Sequence, residues 1–414
     1  MSELQPVRGT HDLLPDEMRR YRRVAETARR AAECFGFQEM ATPIFEFSEV
    51  FKRTLGDTSD IVTKEMYTFT DRGGETITLR PEGTASVARA LISGGLAQHL
   101  PLKYFYSGPM FRYERPQKGR MRQFHQTGIE LLGVKEPLGD VEVIATGAEF
   151  LRRIGAWDRS QLEINTLGDN ESRQNYRKVL VDYLSGHREK LSEDSVSRLE
   201  RNPLRILDSK DHGDQAIVAN APVYTDYLNE TSRDFFGKVK AGLDALGIKY
   251  VVNPRLVRGL DYYSHTCFEV TCEELGAQKT ILAGGRYDGL IPMMGGPETP
   301  GVGWASGIER CAMLLQETPE ARAPIALVPM GERAEAAALK IAGALRQLDF
   351  AVDLGFSGNM KSRMKRANKI AAKVAVILGD NELDQNVATV KNLMSGEQSA
   401  IGLDSLADAL ESYR

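Results

Sequence analysis

Residues 103–132 read KYFYSGPMFRYERPQKGRMRQFHQTGIELL. Two alternating runs flank a polar, basic loop. A link this short holds no crossover helix, so the runs pair antiparallel. In the second run, Gln123 to Leu132, period-two alternation puts Gln126, Gly128 and Glu130 on one face. Ile129 and Leu131 point the other way. A carboxylate and an amide with only a hydrogen atom between them make a polar hole for a small ligand. A solvent-facing edge has the same pattern. The partner run sets Met110, Arg112 and Glu114 on a common face, and the loop adds Arg115, Lys118, Arg120 and Arg122. Carboxylates beside guanidinium groups suit a zwitterion, or an amine next to a phosphate. A solvated hairpin loop is the plainer reading of the same residues.

Working outward, Leu14 to Phe35 is an arginine-rich amphipathic helix that stops at Gly36. Gln38 to Phe47 is an extended run with Pro43 inside it, which belongs at an edge, a bulge or an interface. TITLR, Thr76 to Arg80, is a short strand that PEGTA turns into a helix, Ala85 to Ile92. Glu142 to Ile154 is helical. Asn170 to Gly247 is a polar, mostly helical block, read as an insertion over about 170–250. Strand signals return at Lys249 to Val252, Thr266 to Val270 and Lys279 to Leu282. GGRYDG and a glycine-rich run then lead into a helix, Gly307 to Gln316. Residues 317–324, ETPEARAP, form a linker. The strand–helix alternation beyond it predicts a small α/β domain of about 90 residues. The fold class is therefore α+β, with domains at 1–322 and 323–414.

The 414 residues are 42% hydrophobic and 27% charged, which suffices for a large core. No apolar run of about 18 residues occurs, and the N-terminal stretch has no apolar signal core, so neither a membrane span nor export is expected. Cys34, Cys267, Cys272 and Cys311 form no CxxC pair and no zinc spacing, which predicts a reduced, cytoplasmic protein without structural metal. The net charge of −4 does not mark a general nucleic-acid coat, so RNA contacts must be local. No GxxxxGK[ST] occurs, and Gly301–Gly303 opens no βαβ unit. Any ATP must lie on the sheet among arginines.

The same stretch, as FRYERPQKGRMRQFHQTGIE, resembles motif 2 of the class II aminoacyl-tRNA synthetases in its histidyl form. The resemblance runs along nearly the whole chain. PVRGTHDLLPDE is similar to the family's N-terminus, GFQEMATPIFE to motif 1 with its proline, and TLRPEGTA to the amino-acid-binding turn. VRGLDYYSHTCFEV and AGGRYDGL resemble the two histidyl peptides, and GVGWASGIERCAMLL resembles motif 3. The tail is similar to the family's anticodon-binding domain.

The resemblance to bacterial histidyl-tRNA synthetases implies an antiparallel-sheet catalytic domain with a helical insertion, followed by the anticodon-binding domain. It implies a cytoplasmic homodimer that forms histidyl-adenylate from L-histidine and ATP, with Mg²⁺, and passes histidine to tRNA(His). No DNA or membrane partner is expected. Arg112 would hold the α-phosphate and the carboxylate, with Arg258 as a second cation opposite. Arg120 and Arg310 would grip the outer phosphates. Glu82, Gly83, Thr84 and Gln126 would bind around the α-amino group. Glu130 and Tyr263 would meet the imidazole, which offers one donor and one acceptor, with Tyr262 lining the pocket. Arg115, Gln117 and Lys118 would approach the tRNA.

His125 lies on the opposite face from Gln126 and Glu130 by parity, which predicts a structural role. His11 and His265 have no evident acid partner in sequence. Lys361, Lys365, Lys369 and Lys373 share one face at i, i+4 spacing; this stripe suits tRNA phosphates or a solvated surface. The alternative reading is the synthetase-like regulatory subunit of ATP phosphoribosyltransferase, which lacks the anticodon domain.

Overall fold

Both alternating runs are strands of one eight-stranded sheet. In chain order its strands are β1 (Gln38–Glu39), β2 (Leu102–Phe111), β3 (Gln123–Leu132), β4 (Gln161–Thr166), β5 (Val251–Val252), β6 (Ser264–Thr271), β7 (Thr280–Arg286) and β8 (Gly301–Gly307). Their spatial order is β1-β2-β3-β8-β7-β6-β4-β5. The six central strands are antiparallel, and the short edge strands β1 and β5 pair in parallel. The computed structural model describes residues 3–55, 61–257 and 262–414. It divides into two units, 1–319 and 320–414.

The alternation in β3 decides which face is which. Ile129 and Leu131 are buried with Val141, Ile144 and Phe150 of α3 (Pro137–Arg153), and with Val239 and Leu243 of α4 (Glu230–Ala245). Helix α1 (Pro15–Cys34) adds Val24, Ala28 and Ala31 to that layer. Proline at its first turn, followed by Asp16 and Glu17, suits its positive end. Gly36, at φ +80°, takes the chain out of it. Arg20 reaches from α1 to the carbonyls of Ala312 and Leu315, satisfying the C-terminus of α5 (Ile308–Leu314). The other sheet face carries Tyr106, Met110 and Tyr287 and the helix α2 (Thr84–Ser93).

The structure corrects the sequence reading at three places. Strand β2 ends at Phe111, so Arg112 and Glu114 lie beyond it rather than on its face. The run from 38 to 47 is two strands, Gln38–Glu39 and Phe45–Phe47, with Pro43 in the irregular gap between them. The glycine-rich stretch, to which the sequence reading assigned no strand, contains two. AGGR continues β7, and GVGWASG is β8, at the centre of the sheet. Glycine weakens a strand in isolation; here it is tolerated because neighbouring side chains need the space.

The second unit holds a five-stranded sheet in the order Val352–Leu354, Ile325–Pro329, Val374–Leu378, Val387–Asn392, Gln398–Gly402. The first three are parallel and the last two antiparallel. Two small cores flank it, one under the helix Glu332–Gln347 and the other under α6 (Met360–Lys369). Lys361, Lys365 and Lys369 are exposed on α6, whereas Lys373 lies past its end.

One buried ion pair ties the first unit's sheet to its helical layer. Arg286, at the end of β7, bonds Asp140 of α3 through Nε at 3.1 Å and also through Nη2; both side chains are fully buried. Arg286 Nη1 donates to the Val134 carbonyl at 2.8 Å. Asp140→Asn removes the fully buried counter-charge of the guanidinium and leaves it only the half-buried Asp288, at 3.1 Å. It should lower unfolding free energy by about 3–5 kcal/mol in urea denaturation, and a loss under about 1 kcal/mol would refute this role.

Candidate active site

The α2 face of β3 looks into a cleft of about 330 Å³. Among the residues singled out in the sequence, Glu82, Thr84, Arg112, Arg120, Gln126, Tyr262, Tyr263 and Arg310 line it. Glu130 lies behind Gly303 and Tyr287, only 1% exposed. Gly83 begins α2 with the Tyr106 ring against it: a Cβ there would come within 2.3 Å of the ring. Arg258 lies outside the described residues.

The strands explain how a carboxylate reaches the sheet floor. Glu130 is registered with Gly303 of β8, which is registered with Gly285 of β7. A Cβ on Gly303 would sit 1.9 Å from Glu130 Oε2, and one on Gly285 would sit 2.8 Å from the Tyr263 ring. The absent side chains make the hollow, with Ala305 and Ala283 continuing the small-residue floor alongside. Thr84 Oγ1 donates to Glu130 Oε1 at 2.7 Å, and Tyr287 O–H donates to Oε2. Burial pushes the Glu130 carboxyl up to about 8, against the pull of these hydroxyl donors; nearby Glu82 adds to the rise.

Glu82 accepts from the backbone N–H of Thr84 at 2.6 Å and of Ala85 at 2.8 Å, so it caps α2 from inside the cleft. Burial raises its carboxyl as well. Gln126 Oε1 and the Tyr106 hydroxyl are buried with no partner among the described residues. Buried polar atoms are almost always paired, so Gln126 Oε1, in the cleft wall, marks a place where a ligand can supply the partner; the Tyr106 hydroxyl instead lies beside Glu130 and Thr84.

The arginines form the opposite end. Arg112 Nε donates to the Pro81 carbonyl at 2.9 Å, and its guanidinium lies over the Phe124 ring at 5.3 Å. No ion pair holds it among the described residues. Arg310 is held by neutral groups only: the carbonyls of Gly119 and Thr280 and the Gln278 side chain. Burial and then the Arg120 charge beside it lower its affinity for its proton, and Arg112 adds to this repulsion. Arg120 is paired with Glu114. Cations crowded together, two of them without an ion-pair partner among the described residues, are poised for a polyanion.

His125 stays out of the cleft. Its Nδ1 is 3.1 Å from Glu309, which also accepts its backbone N–H at 2.7 Å, and its ring meets Tyr21 edge-on. His11 Nε2 lies 3.0 Å from Glu17, an acid partner six residues along that the sequence reading overlooked. His265 stacks on Phe235. A second cavity, of about 720 Å³, lies between α1, the 116–121 loop and α5, with Gln117 and Lys118 on its wall.

Sequence reasoning missed Tyr287 and Tyr106. GGRYDG was singled out as a string, but without β7 and β8 recognised as strands no parity rule could aim Tyr287 at Glu130. Tyr106 was legible: it faces Gly128 across β2 and β3, and the same period-two argument applied to β2 finds it.

The histidyl-tRNA synthetase family model matches residues 9–311, and an anticodon-binding domain model matches residues 325–413. A histidine–tRNA ligase of Rhodospirillum rubrum is 61% identical over 414 residues, covering all of both chains. One from Gluconobacter oxydans is 55% identical, again over all of both. The crystal structure of apo Staphylococcus aureus histidyl-tRNA synthetase superposes with a TM-score of 0.83 at 35% identity, covering 98% of this chain and 99% of that one. A Bacillus halodurans structure described as an ATP phosphoribosyltransferase regulatory subunit/histidyl-tRNA synthetase shares the fold at 20% identity and a TM-score of 0.65 over 92% of this chain and 99% of that one.

The raised Glu130 carboxyl makes stability depend on pH. Its folded value lies above the ordinary 4.5, so its contribution is full below about 4.5 and is lost as pH rises through about 8. Glu130→Gln removes the titration. Its melting temperature relative to the parent should therefore rise between pH 5 and pH 8, by up to a few kcal/mol of stability. A difference constant across that window would refute the assignment.

Proposed function

The chain belongs to the histidyl-tRNA synthetase family and joins histidine to its tRNA with ATP, and on that premise we propose how the cleft divides the work. The observation that carries the proposal is the juxtaposition, in and behind one cleft, of the buried carboxylates Glu82 and Glu130 with three arginines, of which Arg112 and Arg310 have no ion-pair partner among the described residues. The regulatory-subunit alternative is less supported: the full-length relatives above are ligases, and the anticodon-binding domain is present.

Histidine's carboxylate is ionised at neutral pH and needs no general base. The task is to bring it against the α-phosphate of ATP and to stabilise the added charge, which positioning and fixed cations supply. Arg112 holds the carboxylate and the α-phosphate, with its Nε fixed on Pro81. Arg258 is the second cation. Arg310, with no acid of its own, and Arg120, shared with Glu114, take the outer phosphates. Phe124, beside Arg112, offers an aromatic face to the purine.

Glu82, Thr84 and the unpartnered Gln126 Oε1 receive the α-amino group, and Gly83 lets α2 close on it. Glu130 and Tyr263 take the imidazole, and Tyr262 walls the pocket. A site whose buried groups need a hydrogen-bonding ligand rejects analogues strongly, because its own groups are otherwise left unpaired.

Mg²⁺ enters with the triphosphate. Among the described residues no cluster of three His, Cys, Asp or Glu side chains could hold a metal. Such an ion keeps its waters and phosphate ligands and takes one or two carboxylates. Glu269, in the cleft wall, is the carboxylate we assign to it, and the ion would neutralise phosphate charge.

The exposed Ile44, Phe45, Phe47 and Phe69, around the small sheet Phe45–Phe47, Tyr67–Thr70 and Thr76–Leu79, suit the homodimer surface. Gln117 and Lys118, with Arg115 beside them, would receive the acceptor end of tRNA(His). Lys361, Lys365 and Lys369 would meet phosphates further along. No helix among the described residues is long and apolar enough to cross a membrane; a cytoplasmic site of action fits translation.

Glu130→Ala should abolish histidine-dependent pyrophosphate exchange, at least about 100-fold, while ATP binding by calorimetry persists. Arg258→Ala should slow single-turnover adenylation by about 100-fold or more and weaken histidine binding less. Undiminished exchange in the first variant removes Glu130 from imidazole recognition, and a normal rate in the second removes Arg258 from the chemistry.

A further inference from the structure

The floor of the cleft holds one side chain that the roles above leave without a task. Tyr287 directly follows β7 and lines the cleft, yet is only 2% exposed. Its O–H donates to Glu130 Oε2, on the side opposite the Thr84 donor to Oε1.

Three constraints hold that phenol in place. Its backbone N–H donates to the Gly301 carbonyl at 2.8 Å. Gly301 lies flat against the ring, since a Cβ there would come within 2.2 Å of Cε2. Tyr262 closes edge-on at 5.9 Å. On either side in sequence, Arg286 is locked to Asp140 and pairs with Asp288 at 3.1 Å. A phenol so confined is a fixed donor.

An ionised carboxylate has about four acceptor positions. Thr84 and Tyr287 take one on each oxygen, and Gly303 keeps the space beside Oε2 free of any side chain. We infer that Tyr287 is a specificity-determining residue: it clamps Glu130 and, by donating to Oε2, favours the ionised form that presents a lone pair to the imidazole N–H. The inference rests on the reading of Glu130 given above.

Removing the phenol hydroxyl has two consequences. The carboxylate gains freedom to turn, and it loses a donor that favours its ionised form. Glu82 nearby and the Tyr106 hydroxyl, which also favours the ionised form, are the other polar groups that face it. Glu82 favours a protonated Glu130, which would donate rather than accept. Such a group no longer requires an N–H on the ligand, so discrimination against rings without one declines.

Tyr287→Phe keeps the ring and its packing. The test is pyrophosphate exchange with histidine and with thiazolylalanines, whose rings accept hydrogen bonds but donate none. We expect the histidine KM to rise about tenfold, equal to about 1.4 kcal/mol, with the ATP KM unchanged. The kcat/KM ratio of histidine to thiazolylalanine should drop at least about fivefold, short of the full value of a hydrogen bond to a charged group. An unchanged histidine KM and ratio overturn the inference; so does an equal loss for both amino acids, which marks mere packing. Glu130→Gln, assayed alongside, separates the two readings. If it loses histidine activation while Tyr287→Phe matches the parent, only the clamp fails. If it matches the parent, the reading of Glu130 fails with it.

Discussion

A carboxylate buried in the middle of a sheet must be hydrogen-bonded and must have room, and much of this active site follows from meeting both conditions at Glu130. Room comes from glycine in the facing strand: Gly303 leaves the Glu130 side chain where any Cβ would collide with it. Hydrogen bonds come from two separate parts of the chain, Thr84 at the start of α2 and Tyr287 after β7. Burial raises the carboxyl to about 8, so its charge state near neutrality is set by these few donors and by whatever ligand arrives. An unmet buried polar group costs about 1–3 kcal/mol, and the proposed selectivity would use that cost against the wrong ligand.

The cation end obeys the opposite rule. Arg112, Arg120 and Arg310 share one side of the cleft, with Glu114 as the ion-pair partner of Arg120. Burial and repulsion from its neighbouring arginines disfavour charge on Arg310, a cost that the proposed triphosphate would remove. Gln126 Oε1 lacks a donor, and Arg112 and Arg310 lack an ion-pair partner, among the described residues; the amino acid and nucleotide proposed above would fill these places. The helical layer behind β3 carries none of this chemistry; it anchors the sheet through apolar packing and through the Arg286–Asp140 pair. That pair neighbours Tyr287, so the anchor of the fold also holds a donor of the site.

Much of this was legible in the residues. Period-two alternation over Gln123–Leu132 assigns Glu130 and Gln126 to the cleft and His125, Ile129 and Leu131 to the other face, because a strand has no freedom to do otherwise. The short basic link makes the pair antiparallel for the same local reason. The spacing that puts Lys361, Lys365 and Lys369 on one helical face is equally local, and it stops at the helix end that leaves Lys373 out.

What the sequence alone could not decide is where glycine means a strand. GVGWASG reads as a loop by intrinsic preference, and only its two neighbours, β3 and β7, make it a strand. With β8 unrecognised, Tyr287 had no assigned direction and its bond to Glu130 was invisible. Nor could alternation tell that Arg120 is shared with Glu114 while Arg310 has no acid. The sequence determined the period of each strand, the faces of its residues and, through its motifs, the family and the reaction. The tertiary structure decided which distant groups meet each buried charge, because hydrogen-bond partners and empty space are set by packing between strands far apart in the chain.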